Sequence, residues 1–225
     1  MKRNFHYYFP LVLQKIGYVI FLILHEVFVR LEIRDTENIQ NLTSPIILAT
    51  NHTSELDVTA LPLIFPMFSK IFPIYFVTNQ TEKYRTFGWR SYIYGGVFFN
   101  CLGGYAVYSG HKDYAMSLED HIKLLKNGQT LWIAPEGKRT RDGNMNPARG
   151  GLGFLVHTTQ AVVLPIAINT FFNMSFWDFI TFKRKVVITI GKPMKPGEII
   201  NINNPTVTDF REGSQRVLDR IHGMM

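Results

Sequence analysis

The sequence predicts an α/β fold: a mixed, largely buried sheet flanked by helices, preceded by an N-terminal membrane-associated amphipathic helical segment. Three observations predict it. Short apolar runs recur along the chain, helical patterns lie between them, and the most hydrophobic stretch comes first, over residues 5–29. At 225 residues the chain is long enough for one large domain with an appendage. The expected division is a membrane-associating segment over 1–38 and the α/β domain over 39–225. Charged residues make up 18% and aromatics 14%, a balance that excludes intrinsic disorder. A mean hydropathy of +0.02 is too low for several membrane spans and excludes a polytopic protein.

The opening segment carries Lys2 and Arg3 in front, as a signal peptide would, but no small-residue cleavage site follows at His25–Arg30. A spanning helix needs roughly 20 predominantly apolar residues. The clean run here is Ile16 to Leu24, bounded by Gln14-Lys15 and His25-Glu26. Three placements fit: a helix lying in the membrane interface, a helix docked on the domain, or a true span. Tyr7, Tyr8, Phe9, Tyr18 and Phe21 suit the headgroup boundary.

Strands are expected over 45–50, 73–78, 105–108, 130–134, 161–168 and 185–190, several with consecutive apolar positions that suit burial on both faces. A helix is expected over 111–127, where Ala115, Leu118, Ile122 and Leu125 share a stripe that stops at Asn127-Gly128. Another spans 208–223 with Phe210, Val217 and Ile221 on one face. His111 and His121 flank the first stripe and read as surface residues. Gly150 to Gly153 reads as a turn before a helix. The stretch Phe171 to Phe182, ending in Lys183-Arg184-Lys185, reads equally as a membrane-facing patch or as a core-facing loop.

The net charge of +7 draws the chain toward polyanions: nucleic acid, an anionic leaflet or phosphorylated small molecules. No nucleic-acid-binding module is recognisable, so nucleic acid is not an expected partner. The single cysteine, Cys101, excludes an intrachain disulfide, reads as a small buried hydrophobe and suits a reducing compartment.

Two stretches that follow predicted strands carry chemistry, since ligand sites in α/β proteins gather at strand ends. The first is Asn51-His52-Thr53-Ser54-Glu55-Leu56-Asp57. On one regular helix, five steps would put His52 and Asp57 roughly 140° apart, too far to meet. With His52 in a loop and a helix starting at Ser54, Asp57 reaches back over the loop. It then either caps the helix or orients the imidazole as a general base. No G-x-S-x-G elbow supplies a protein nucleophile, so a working pair would activate a hydroxyl or water arriving from outside. No metal-ligand spacing is present, and neither a metal nor a cofactor is expected. The second stretch, Ala134 to Gly143, crowds Lys138, Arg139 and Arg141 onto a turn built by Pro135, Gly137 and Gly143. It reads as an anion site or as a solvated basic loop, with Glu136 placed to grip an arginine.

N-H-x-x-x-x-D, then P-E-G-x-R-[ST] about eighty residues later, then Leu164-Pro165-Ile166-Ala167-Ile168, resembles the glycerolipid acyltransferase family of lysophosphatidate (1-acylglycerol-3-phosphate) acyltransferase type. The resemblance covers roughly Ile46 to Ile168. It implies transfer of a fatty acyl group from acyl-CoA or acyl carrier protein to a lysolipid hydroxyl, at the cytoplasmic face of a membrane. The chain would be monotopic there or have one N-terminal helix inserted. By the same resemblance His52 is the catalytic base and Asp57 its partner, and Glu136, Gly137 and Arg139 match the block that binds the acceptor's phosphate. Lys138 and Arg141 join that substrate-binding set from the same turn. Three positions depart from the family pattern: Ser109 stands where an arginine is expected, Lys138 replaces a common Thr, and Ala134 a common Phe. Two rivals stay open, an acyl-thioester hydrolase and a lipid-binding protein without turnover.

Overall fold

Because β-branched and apolar runs alternate with helical segments, the described residues wind into one seven-stranded sheet with helices on both faces. The computed structural model describes residues 5–54, 56–79, 97–108, 113–169 and 171–225. Ser109 and His111 lie outside the described residues. The strands are β1 (Arg30–Arg34), β2 (Ile46–Thr50), β3 (Ile74–Thr78), β4 (Gly104–Ala106), β5 (Thr130–Ile133), β6 (Val162–Asn169) and β7 (Lys185–Ile190), in the order β1-β7-β6-β2-β5-β3-β4. β6, β2, β5, β3 and β4 are parallel, and β7 turns back antiparallel to β6 with β1 beside it. The sheet is therefore mixed, as expected. Its five parallel strands all end at one edge.

β2 sits in the middle of the sheet, and Ile46 to Thr50 are all fully buried. Their side chains alternate between two cores. Ile47 and Ala49 face α5 (Glu119–Lys126), α6 (Gly151–Thr159) and α9 (Val207–His222). Ile46 and Leu48 face α1 (Phe5–Phe28) and α2 (Asp57–Ala60). The strand β1, within the segment assigned to 1–38, belongs to the sheet through its pairing with β7.

The helix expected over 111–127 is two pieces, α4 (Tyr114–Ser117) and α5, broken where Leu118 leaves helical geometry at φ −118° and ψ 16°. Leu118 and Leu125 are buried, whereas Ala115 is exposed. The helix expected over 208–223 is α9, with Phe210, Val217 and Ile221 buried. The glycine run is not a turn before the helix but its first turn, with Gly150 at the N-cap and Gly151 to Gly153 inside α6, and Gly153 lets α6 meet α9 backbone to backbone. A Cβ there would lie 2.3 Å from the Phe210 carbonyl oxygen, and its N–H donates to Ser214 Oγ at 2.9 Å.

His121 corrects the surface reading, for it is fully buried between α5 and β4. Its Nε2–H donates to the Tyr105 carbonyl at 3.1 Å, and Nδ1 has no hydrogen-bond partner among the described residues. Burial pushes the imidazole below its ordinary range, because a proton on Nδ1 would be a charged donor facing apolar walls. The unfolded chain takes that proton near pH 6.5. Stability is therefore complete above about pH 6.5 and falls as pH drops through the lowered folded value. Thermal melts from about pH 7.5 down to about 5.5 should fall more steeply for the native chain than for His121→Asn; equal slopes would remove His121 from the acid sensitivity.

α1 is turned with its polar face inward. Gln14 donates through Nε2 to the Ile74 and Leu102 carbonyls, both at 2.7 Å, and accepts from Ile74 N–H at 2.8 Å. Tyr18 donates to the Phe65 carbonyl at 3.1 Å, and His25 is buried with Nδ1–H on the Phe21 carbonyl. Val12, Ile16, Val19, Ile20, Ile23 and Val27 form the exposed opposite stripe, at helical spacing. By length and composition, Tyr7–Phe28 is long and apolar enough to cross a membrane. The Phe171–Phe182 stretch divides between its two readings. Phe171 is buried in the core, whereas Trp177 and Phe182 are exposed.

Candidate active site

The site forms where β2 leaves the sheet. Asn51, fully buried, imitates one more residue of the ladder: its side chain donates to the Ile168 carbonyl and accepts from the Ile168 N–H, both at 2.8 Å. That pair fixes the direction in which the chain exits, and His52 follows at once. Its Nδ1 lies 2.9 Å from Asp57 Oδ2. Asp57 is fully buried and also accepts from Thr53 N–H (2.9 Å), Ser54 N–H (3.0 Å) and Thr53 Oγ1–H (3.2 Å). Among the described residues only donors face this carboxylate, so Nδ1 carries the imidazole proton and Nε2 is left as the acceptor. The His52 side chain is 31% exposed.

Of the two roles open to it in the sequence, Asp57 takes that of the histidine's partner: it is the first residue of α2, no side chain caps that helix, and its carboxylate gathers the Thr53–Ser54 loop instead. The helix starts three residues later than expected, at Asp57 instead of Ser54. Ser54 Oγ accepts the Leu56 N–H at 3.2 Å and makes a turn there, which brings the carboxylate back over the loop.

The second stretch follows β5 and is bolted to the first. Glu136, 1% exposed, accepts the His52 N–H on Oε1 at 3.0 Å. Its Oε2 accepts from the Asn146 N–H at 2.7 Å and the Asn146 side-chain amide at 3.1 Å. This corrects the expectation that Glu136 grips an arginine: its oxygens serve backbone amides and Asn146. Thr140, also buried, donates its N–H to the His52 carbonyl at 3.0 Å, so both backbone polar groups of His52 are held by the one loop. The Thr140 hydroxyl knots that loop, donating to the Asn144 carbonyl at 2.6 Å and accepting from Gly143 N–H at 3.1 Å.

Gly137 lies at φ +64°, where a Cβ would come within 2.7 Å of Arg149 Cδ. Only glycine admits both that backbone and that neighbour. Arg149 N–H donates to the Pro135 carbonyl at 2.8 Å, and its side chain lies across Gly137, adding a fourth cation to the turn. Lys138, Arg139 and Arg141 are exposed on it.

The structure therefore brings His52, Asp57 and Glu136 into one hydrogen-bonded unit and hangs the basic turn from it. Asn51 and Thr140 stand in the two motif blocks but were given no role in the sequence, and Asn146 and Arg149 lie outside both blocks. The N–H groups of Thr53 and Ser54, near the helix start, are taken by Asp57, which removes them as donors to a developing oxyanion. A groove of about 780 Å³, lined by residues such as Asp35, Lys192, Arg216 and Arg220, opens where β7 ends, at the edge opposite His52.

A family model described as Acyltransferase matches residues 30–169, more than half of the chain. Human 1-acyl-sn-glycerol-3-phosphate acyltransferase beta is 24% identical over 144 residues, which are 63% of this chain and 47% of that protein. The 1-acyl-sn-glycerol-3-phosphate acyltransferase of Saccharomyces cerevisiae is 24% identical over 172 residues, 75% of this chain and 52% of its own length. The chain spans about half the length of the curated relatives it matches. The crystal structure of the 1-acyl-sn-glycerophosphate (LPA) acyltransferase PlsC from Thermotoga maritima has the same fold, with a TM-score of 0.62 at 20% identity over 93% of this chain and 77% of that one.

Proposed function

The chain belongs to the acyltransferase family, and from that premise we propose that it moves a fatty acyl group from acyl-CoA or acyl carrier protein to the hydroxyl of a lysophospholipid or related lysolipid at a membrane surface, with His52 as general base. The observation that carries this reading is the 2.9 Å contact between His52 Nδ1 and a carboxylate surrounded by donors. It leaves Nε2 free to accept a proton beside a loop rich in cations.

In this mechanism the acceptor hydroxyl gives its proton to His52 Nε2 as its oxygen attacks the thioester carbonyl. Asp57 stabilises the imidazolium. Collapse of the tetrahedral intermediate breaks the carbon–sulfur bond, and His52 returns the proton to the leaving thiolate. An ester and a free thiol result. Lys138, Arg139, Arg141 and Arg149 would hold an anionic headgroup. Glu136 acts as a positioning residue that fixes the distance between the basic turn and the imidazole.

Membrane action is supported by α1. Because Gln14, Tyr18 and His25 tie it lengthwise to the domain, a spanning placement would drag the sheet into hydrocarbon. An in-plane helix with the Ile16–Ile20–Ile23 stripe toward lipid avoids that cost. The site on the cytoplasmic face then meets both acyl donor and lysolipid.

The test is incubation of purified protein with labelled acyl donor and a panel of lysolipids, with products read by mass spectrometry. Label in a diacyl lipid supports transfer. Label only in free fatty acid would mean hydrolysis, and no turnover with retained lipid binding would mean a binding protein. Arg139→Ala should raise the acceptor KM by about 10–100-fold while kcat changes little, as for loss of a charge-assisted contact made equally in ground and transition states. An unchanged acceptor KM would separate Arg139 from the headgroup.

A further inference from the structure

The outward stripe of α1 is bracketed at both ends by exposed aromatic rings set beside cations. Near the N-terminal half, the loop between Ile64 and β3 carries Phe68, 87% exposed, with Lys70 exposed two residues on. That loop is laid against α1: Lys15 Nζ lies 3.8 Å from the ring centroid of Phe72 and 5.8 Å from that of Phe68. At the other end, Phe28 stacks on Phe179 and Phe182 with centroids 5.6 and 6.2 Å away. The short helix α7 (Phe176–Ile180) there exposes Trp177 at 69%, and Arg30 and Lys183 are exposed close by in the chain. Phe182 adopts φ +56°, a conformation bulky side chains rarely take, and its ring stacks on Phe28 of α1.

We propose that the Phe68 loop and the Trp177–Lys183 turn are two further membrane contacts, which seat the α1 face of the domain flat on an anionic leaflet. The proposal rests on the reading of α1 as an in-plane helix. Roughly 20 Å of helix, at 1.5 Å per residue, separates Lys15 from Phe28, so two brackets at that spacing resist rocking where one amphipathic helix would act as a hinge. Their chemistry matches a bilayer surface: Trp and Phe favour the headgroup boundary, and cations beside them favour anionic lipids. The Trp177 turn leaves from the end of β6, the strand to which Asn51 is tied. Seating that turn therefore sets the edge that carries His52 at headgroup level. The Phe68 loop precedes β3 and sits at the opposite edge, so the two contacts fix the tilt of the sheet.

Partitioning of the full chain onto vesicles of phosphatidylcholine alone and of equal parts phosphatidylcholine and phosphatidylglycerol tests this. Phe68→Ser and Trp177→Ser should each weaken binding about tenfold, and the pair about a hundredfold. Lys70→Glu with Lys183→Glu should weaken binding to the anionic vesicles only. Brominated lipid should quench an emission component that Trp177→Phe lacks. Turnover on short-chain, water-soluble substrates in detergent should be unchanged in all of these variants. Unchanged partitioning in the Phe68/Trp177 double variant, while Ile16→Ser with Ile20→Ser abolishes it, would overturn the proposal and leave α1 as sole anchor. Equal loss on both vesicle types from the charge reversals would overturn its anionic part.

Discussion

His52→Ala should abolish the proposed acyl transfer and leave the fold in place. The expected loss in kcat is on the order of 10²–10⁴-fold, the usual contribution of a positioned general base, and the melting temperature moves little. The separation follows from how the residue is held. Its backbone bonds to Glu136 and Thr140 do not involve the imidazole. The side chain is partly exposed, so its removal opens no sealed cavity. Asp57 keeps three of its four donors, from Thr53 and Ser54. Asp57→Ala is the contrasting case, since it strands those buried donors together and should destabilise the loop along with the chemistry. Steady-state rates with a soluble donor, alongside thermal melts, check the pair. Added imidazole should restore part of the His52→Ala rate by filling the vacated position. Near-normal turnover without it would mean that another group takes the proton.

Much of this arrangement could be read from the sequence, because much of it is local. Strands such as Ile46–Thr50 declare themselves by apolar runs that only a doubly covered sheet accommodates. His52 and Asp57 lie five residues apart, so a single turn is enough to join them. The β1 strand, Arg-Leu-Glu-Ile-Arg, was missed for an equally physical reason. It is an edge strand with one neighbour, half-exposed, and held by Glu32 to Arg34 and Lys185, so its composition resembles a loop. In α1 the polar residues Gln14 and His25 looked like interruptions of a span, whereas they are the face that docks on the domain. The partners of Glu136, though not its place in the motif, were beyond reach. A carboxylate among cations looks the same in sequence whether it meets an arginine or the backbone of a loop 84 positions away. Only the convergence of the β2 and β5 ends decides between them.

Glu136→Gln is the sharper test of that convergence than Glu136→Ala. The alanine leaves the buried N–H groups of His52 and Asn146 without acceptors, at roughly 1–3 kcal/mol each, and so mixes instability with function. Glutamine preserves shape but has one acceptor oxygen where the carboxylate has two. Whichever way the amide turns, its NH₂ faces a backbone donor, either His52 N–H or Asn146 N–H, and one strut of the tie opens. The loop of Lys138 and Arg139 then loses its fixed distance from the imidazole. Assayed well below its melting temperature, Glu136→Gln should lower kcat by about 10²-fold, the order expected when reacting groups are displaced by about 1 Å, and raise the acceptor KM as well. That double signature is diagnostic, because His52→Ala should move kcat alone and Arg139→Ala the acceptor KM alone. A Glu136→Gln enzyme with altered KM and intact kcat would return Glu136 to the acceptor site, where the motif first placed it. One with both constants unchanged would mean that the two loops hold their register without this carboxylate.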